Sequence, residues 1–572
     1  MSLDGPFTLD MLAAHHAAGG SAMDVAREAL RRIAAFADPA LFITMVPEPD
    51  LLARAAALPP GPLHGVPFVV KDNIDVAGLP TTAGCPDFAH VPAEDAPVVA
   101  RLLAAGALLL GKVNLDQFAT GLNGTRSPHG TPRNAVDAAL IPGGSSSGSA
   151  TAVAAGFAAF SLGTDTAGSG RVPAAAQNIV GLKPSLGLIP TRGVVPACRS
   201  LDCVSIFARS VADAGAVLAI AAGPDGADPY CRAAPAGWRA TEAAPPFWRL
   251  AVPSEAQLIF DTPEDAALFA AAVAQAEARG ATVTRVDIAP FLAVARRLYD
   301  GAWVAERTSA LRDWVTDRPD ALHPITRAIL KGGLTRLAID AFDDFHAAAE
   351  ARRLARDLFA RADALLLPTC PGVPTLAAMA AEPIAANSRL GTYTNFVNLC
   401  DLAALAIPAG FRADGVPVGV TLVGPAFSEG RLAALSGAAL PLAELAGDEL
   451  PLFCIGAHMS GLPLNGQVRG FGGRFLRTGR TLPTYRLYDL GNRPGMVRAG
   501  TGGASILGEV WALPAAQIGP FLAAIPPPLG FGRVALEGGE SVLGFQAESE
   551  GVAGAPEITS LGGWRAHLAA KN

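Results

Sequence analysis

From Ala138 to Thr164 the chain carries no Asp, Glu, Lys or Arg. A segment without charge gains nothing from facing water, so the fold has to be built around it. It opens with the Gly/Ser-rich run IPGGSSSGS, which leaves far fewer than the roughly 20 apolar residues of a membrane span. The expectation is therefore a buried element, and the small residues between Ser145 and Ser169 read as one helix flanked by two Gly/Ser loops. The rest of the chain can supply the surrounding interior, since 51% of it is hydrophobic and only 17% charged. At 572 residues it exceeds one ordinary core, which argues for at least two domains.

The N-terminal part alternates patterns. TLDMLAAHHAA and SAMDVAREALRRIAAFA have helical periodicity, GVPFVV reads as a buried strand opening onto Lys71, APVVARLLAAG as a helix and ALLLGKV as a strand. Residues 263–282 and 290–361 are mainly helical, and ADALLLPTCP and GVPVGVTLVGP supply further strands. This alternation predicts an α/β fold, a large domain with a mixed sheet covered by helices. Near residue 440 the alanine-rich texture gives way to Gly-rich, β-like runs such as PTYRLYDL, SILGEVWAL and SVLGFQAE. The expected division is 1–440, a linker at 441–451, and a small mainly-β, α+β domain at 452–572.

Charge narrows the partners. The formal charge of −7 and the lack of a basic run give no attraction for phosphate backbones or anionic lipid, so neither nucleic acid nor membrane is expected. The first residues show no basic stretch followed by an apolar one, and a cytoplasmic location is expected. Seven cysteines, an odd number without a CxxC pair, predict reduced thiols and no structural metal; no cofactor motif is evident.

Two Gly/Ser motifs hold candidate nucleophiles, Ser145 in IPGGSSSGSA and Ser169 in GTDTAGSGRVPA. Glycines allow close backbone approach, and consecutive N–H groups in such a turn can hold an oxyanion. A serine needs a base, and Lys71, delivered at the end of an apolar strand, becomes one if burial depresses its pKa. Taken singly, the same features also fit tight turns in a small-residue core and a lysine emerging at a strand end. Two decoys are present. GSSSG at 144–148 matches a nucleophile elbow with Ser146, but Pro142 and two glycines precede it where a strand is required. GALLLGK at 106–112 imitates the start of a P-loop, but Val113 stands where Ser or Thr would hold magnesium.

KDN, GGSSSGSA and GTDTAGSGRVP, in this order, resemble the amidase signature family. The resemblance implies a Ser/cis-Ser/Lys triad: Ser169 as nucleophile, Ser145 beside a cis peptide bond as bridge, and Lys71 as final base. Ser145 precedes Ser169 by 24 residues, which fits the family. It also implies an oxyanion hole from the backbone N–H groups of Thr166, Ala167 and Gly168, with Ala167 standing where many members have glycine. Further segments resemble the branch of the family that hydrolyses allophanate: GLNGTRSPHG at 121–130, LDCVSIFA at 201–208, the run 387–411, and GAHMSGLPLN, YRLY, GEVWALP and GGWR near the C-terminus.

Allophanate is a urea bearing a carboxylate and asks for a cation at the end away from the scissile bond. By resemblance Tyr299 and Arg307 bind it, with Arg307 on the carboxylate and Gly124 offering a backbone contact. Eight residues apart, the two side chains would stand about 80° apart on one ideal helix; an Arg307 salt bridge to a neighbouring acid is the plainer alternative. His458 in GAHMSG is the candidate for handling the first product, set against a role in packing a turn. The resemblance further implies a homodimer and a pathway complex with an allophanate-forming enzyme. A general or aryl amidase, one component of an amidotransferase, and a non-catalytic assembly protein are the competing readings.

Overall fold

A computed structural model describes residues 3, 6–243, 245, 247–278, 280–439, 449–459, 462–500, 502–537 and 541–571. Most of the segment expected as a linker, 441–448, lies outside the described residues. The chain divides into two compact units, 1–410 with 416–440, and 411–415 with 441–572.

The larger unit is built on eleven strands: β1 (Phe42–Met45), β2 (Pro67–Lys71), β3 (Leu108–Val113), β4 (Phe160–Asp165), β5 (Val180–Lys183), β6 (Cys203–Ala208), β7 (Trp248–Pro253), β8 (Ala281–Val286), β9 (Ala364–Pro368), β10 (Leu402–Phe411) and β11 (Pro417–Pro425). They form one mixed sheet in the order β1-β3-β2-β4-β6-β5-β10-β11-β9-β7-β8. Strands β2, β3, β4, β6 and β9 are buried at every position. Their runs are continuously rather than alternately apolar, as expected of strands covered on both faces. Strand β2 pairs in parallel with both β3 and β4, with Lys71 beside Val113 and Val70 beside Leu162. The C-terminal ends of β2, β3 and β4 therefore share one edge of the sheet, and Lys71, Thr164 and the loop after Asp165 gather there.

The uncharged segment is buried but is not one helix. It forms a helix over Ser147–Ala154, turns at Gly156 with φ +81°, and returns as β4. Small residues and buried strands both read as apolar, so periodicity could not separate them; the positive φ that only glycine adopts readily ends the helix. The GALLLGK run lies mostly in β3, where Lys112 is fully buried and pairs with Asp72 at 3.1 Å. Asp72 also accepts the Thr82 N–H at 2.9 Å. A lysine committed to that ion pair does not serve a phosphate cradle.

The smaller unit carries β12 (Glu449–Cys454), β13 (Arg474–Arg480), β14 (Tyr485–Asp489), β15 (Pro494–Arg498), β16 (Leu507–Pro514), β17 (Leu529–Ala535) and β18 (Ser541–Ala547). Five of these make a sheet in the order β13-β16-β12-β18-β17, and β14 and β15 form a separate pair. Leu452, Phe453, Val510, Trp511, Phe545 and Trp564 lie in its core. Among the described residues no helix is long and apolar enough to cross a membrane.

Removing one member of the buried Lys112–Asp72 pair leaves an uncompensated charge, which costs about 3–5 kcal/mol. Lys112→Ala should therefore destabilise the larger unit by an amount of that order, read as a lowered denaturant midpoint by tryptophan fluorescence.

Candidate active site

Strand β2 carries Lys71 into the interior with no exposed surface. Its Nζ donates to Ser145 Oγ at 2.8 Å and to Thr164 Oγ1 at 2.7 Å, and it forms no ion pair among the described residues. Burial pushes its pKa down to about 7; Asp116, Asp202 and Asp165 oppose that fall and Arg307 adds to it. At neutral pH a large fraction of Lys71 is thus the free amine, which can accept a proton. Ser145 follows a cis peptide bond from Gly144, and its carbonyl receives the Asp116 N–H at 3.1 Å. Ser146 points elsewhere: its hydroxyl bonds the Thr164 carbonyl at 3.1 Å and N–H at 3.3 Å. It is a brace between the 145–148 turn and β4, which removes the elbow reading.

The loop after β4 is held by a buried ion pair. Asp165 takes two hydrogen bonds of 2.9 Å from Arg171, the N–H of Gly168 at 2.8 Å and that of Gly170 at 2.9 Å. Burial pushes the Asp165 carboxyl up, yet Arg171 outweighs it and holds the group below its usual range. Arg171 also donates to the Thr394 carbonyl and Asn398 Oδ1, both at 3.0 Å, while Asn398 returns an amide bond of 2.8 Å to the Asp165 carbonyl. At the tip, Ser169 is 3% exposed, and its hydroxyl reaches the Gly121 carbonyl at 3.5 Å, the edge of bonding distance. No hydrogen bond joins Ser169 to Ser145, so a relay requires the Ser169 side chain to swing away from Gly121; catalytic hydrogen bonds are often loose without substrate.

The set of free donors differs from the one nominated. The Gly168 N–H is engaged by Asp165, whereas those of Thr166, Ala167 and Ser169 have no partner among the described residues. Ser169's own N–H was missed because sequence shows the turn but not which amides its anchoring carboxylate occupies. Thr164, the second acceptor on Lys71, was also missed; its place at the end of β4 is the signal that could have found it. The Gly124 N–H is likewise occupied, donating to Asp116 Oδ2 at 3.0 Å, which leaves its carbonyl as the group able to meet a ligand.

Tyr299 and Arg307 do not share a helix. One helix covers Ala289–Asp300 and a second Trp303–Ser309. The first ends as Gly301 turns extended, and Asp344 takes the N–H of Ala302, which precedes the second, at 2.5 Å. The break still brings the pair together, with the Arg307 guanidinium 5.5 Å from the centre of the Tyr299 ring. Arg307 is 1% exposed. Its Nη1 donates to the Ala119 carbonyl and Thr120 Oγ1, both at 3.2 Å, while Nη2 is buried without a partner. No salt bridge to an acid is formed among the described residues, so the plainer alternative for Arg307 is not what the structure contains.

A cavity of about 460 Å³ is lined by Val195, Arg199, Asp202 and Leu311 among others; Lys71, Ser145, Ser169, Tyr299 and Arg307 are not part of its lining. Its Asp202 wall touches the Ser169 loop, taking the Thr166 hydroxyl at 2.5 Å. Among the described residues no cluster of His, Cys, Asp or Glu is placed to hold a metal ion.

In the smaller unit His458 is 7% exposed, stacked on Phe545 at 4.7 Å between ring centres, edge-on to Phe521, and bonded through Nε2 to Gln467 at 2.8 Å. Burial lowers its pKa, the Gln467 bond opposing. These contacts are those of a packed neutral ring, and none of them is to a charged group.

Residues 24–433 match the family description "Amidase". That match spans more than half of the chain, and the chain belongs to the amidase family. Residues 450–569 match a second description, the allophanate hydrolase C-terminal domain. Urea amidolyase of Lachancea kluyveri is 42% identical over 548 residues, covering 89% of this chain; the chain spans only 30% of that relative's length. A glutamyl-tRNA(Gln) amidotransferase component from Symbiobacterium thermophilum is 38% identical, covering 72% of this chain and 91% of the relative. Among solved structures, Kluyveromyces lactis allophanate hydrolase superposes with a TM-score of 0.72 at 39% identity, over 99% of this chain and 100% of that one.

Gly168 has φ +137°, and a Cβ there would stand 2.4 Å from Thr394 Oγ1. Gly168→Ala should cost about 1–3 kcal/mol of stability and displace the Ser169 loop, visible as a lowered melting temperature together with lost turnover.

Proposed function

We propose that the chain hydrolyses allophanate, with Ser169 as nucleophile, Ser145 as proton bridge and Lys71 as base. The observation that carries the reading is the buried, unpaired Lys71 amine bonded to Ser145 at the sheet edge from which the Ser169 loop emerges. Ser169 attacks the terminal amide carbonyl; its proton passes to Ser145 as Ser145 gives its own to Lys71. The oxyanion meets the free N–H groups of Thr166, Ala167 and Ser169. The intermediate collapses, the proton held by Lys71 returns through Ser145 to the leaving nitrogen, and ammonia departs. Water, deprotonated by the same relay, then releases N-carboxycarbamate from Ser169, and this product decays to ammonia and carbon dioxide.

The substrate follows from the other end of the site. Arg307 presents an unpartnered buried Nη2, which suits a carboxylate, and Tyr299 lies against its face. The likeness to urea amidolyase and allophanate hydrolase extends into the second domain, a feature that favours this reading over an amidotransferase component. The second domain is assigned to assembly or to handling of the first product, and the packing of His458 favours the structural role for that residue. A homodimer and an association with an allophanate-forming enzyme extend the same proposal. Leu337, Ile339, Phe342 and Phe345, each at least 55% exposed around the start of the Ala338–Phe359 helix, offer apolar surface for the dimer. A cytoplasmic setting accords with seven free thiols, six of them buried.

The test is ammonia release from allophanate by the purified chain, with urea, malonamide and glutamine alongside. Faster turnover of glutamine than of allophanate would move the reading to the amidotransferase side. Ser169→Ala should lower kcat by at least about 10³-fold without unfolding the protein, and adding Lys71→Ala or Ser145→Ala should cost little more, because the three act as one unit. The pH profile has a definite sign. Below about 7 Lys71 is protonated and cannot accept, so kcat/KM should rise with pH up to about that value and then level off. A flat profile from about pH 5 to 8 would remove Lys71 as base.

A further inference from the structure

The loop between Gln117 and Arg126 carries a second guanidinium that the proposed chemistry does not use. Arg126 is 1% exposed, as deeply buried as Arg307. Its Nη1 donates to the Thr120 carbonyl at 3.0 Å and its Nη2 to the Pro383 carbonyl at 2.7 Å, while Nε is buried without a partner. Arg307 bonds the hydroxyl of the same residue, Thr120. Two buried guanidinium groups thus grip one threonine, from its carbonyl and from its side chain, and each keeps one nitrogen unsatisfied.

Neither arginine forms an ion pair among the described residues. Asp116, the first counter-charge felt by Arg126, is occupied by the backbone N–H groups of Gly124 and Arg126 itself. Around Arg307, Glu306 is bonded to Ser200, and Asp202 to Thr166 and to the N–H groups of Ala197 and Cys198. Burial disfavours both charges: for Arg126 it prevails, with Arg307 adding to the fall, whereas for Arg307 nearby Cys198, Tyr299, Asp202 and Glu306 outweigh it and hold the cation. Protein interiors pair buried charges or leave a place for the ligand that pairs them, and an unsatisfied buried donor is the mark of such a place.

We propose that Arg126 is a second anion-binding residue of this site, meeting the substrate carboxylate through Nε while Arg307 meets it through Nη2. The proposal rests on the reading that Ser169 cleaves a carboxylate-bearing amide, and it deepens that reading: selection for the anion comes from a two-arginine clamp around Thr120. One carboxylate has two oxygens with several acceptor directions, enough for one N–H from each guanidinium. The clamp also explains why the loop tolerates two non-glycine residues at positive φ, Phe118 at +51° and Ala119 at +53°: both carbonyls needed by the arginines, Ala119 and Thr120, lie in that turn. A purely structural Arg126 would brace this turn and nothing more.

The two roles separate in the full-length chain. Arg126→Gln and Arg126→Lys are compared by steady-state kinetics on allophanate and on uncharged malonamide. Malonate affinity is measured by calorimetry in the Ser169→Ala background, where no turnover is needed. The clamp predicts that Arg126→Gln raises KM for allophanate and Kd for malonate by about tenfold or more, with kcat within about threefold and malonamide little changed. Arg126→Lys, which keeps charge but loses the fork, should recover part of that loss and decides the matter if the glutamine variant does not fold. Unchanged malonate affinity, or equal losses on allophanate and malonamide, would overturn the proposal. If the wild-type chain leaves allophanate intact, the functional reading falls, but the malonate titration still reports on Arg126.

Discussion

A lysine amine buried without a counter-ion is the constraint around which the larger unit is arranged. Water would keep Lys71 charged; the interior takes water away and offers two hydroxyls, Ser145 and Thr164, in place of a carboxylate. The contrast with Lys112 is instructive, because it too is a fully buried lysine on a neighbouring strand whose pKa burial lowers, yet it is given Asp72 at 3.1 Å, which opposes that fall. The difference between the two lysines is that an acid is placed within reach of Lys112, whereas Lys71 meets only hydroxyls. Three acids influence Lys71 from a distance, enough to hold it near 7 instead of lower, and each is tied up by other donors: Asp116 by backbone amides, Asp165 by Arg171, Asp202 by Thr166 and two amides.

The same economy governs the Ser169 loop. Asp165 gathers the Gly168 and Gly170 amides on one side and Arg171 on the other, so the loop is pinned from within. The amides that Asp165 does not take are those left without a protein partner. Anchoring and, in the mechanism proposed, oxyanion binding thus fall to different groups of one short turn, so that a pinned loop still carries free donors.

Much of this was legible beforehand, and the failures have physical causes. Lys71, Ser145 and Ser169 could be named because KDN, GGSSSGSA and GTDTAGSGRVP, read together and in order, resemble the amidase signature motifs, although each alone also fits a turn or a strand end. Continuous apolar patterning revealed the covered sheet. The uncharged segment reads as one helix because burial on both faces erases periodicity, and a single glycine at 156 decides the fold there. Tyr299 and Arg307 do come together, but not on one helix: the first helix ends at Gly301, Asp344 of a distant helix takes the Ala302 N–H, and no local pattern announces a partner 42 residues away. Thr164, the Ser169 amide and Arg126 stayed invisible because the roles proposed for them depend on which bonds their neighbours have already made.

The sheet order has a bearing on how such a chain is made. Strands β10 and β11 are late in sequence but sit in the middle of the sheet, between β5 and β9, and Thr394 and Asn398, just before them, hold Arg171. A ribosome that has released only the residues before β9 has produced the lysine, both serines and the whole glycine-rich loop with its Asp165–Arg171 pair, yet not Thr394 and Asn398, which hold Arg171 from outside the loop. The sheet is complete only once β10 and β11 stand between β5 and β9. Pairing of this kind joins residues far apart in sequence, a topology associated with slow folding.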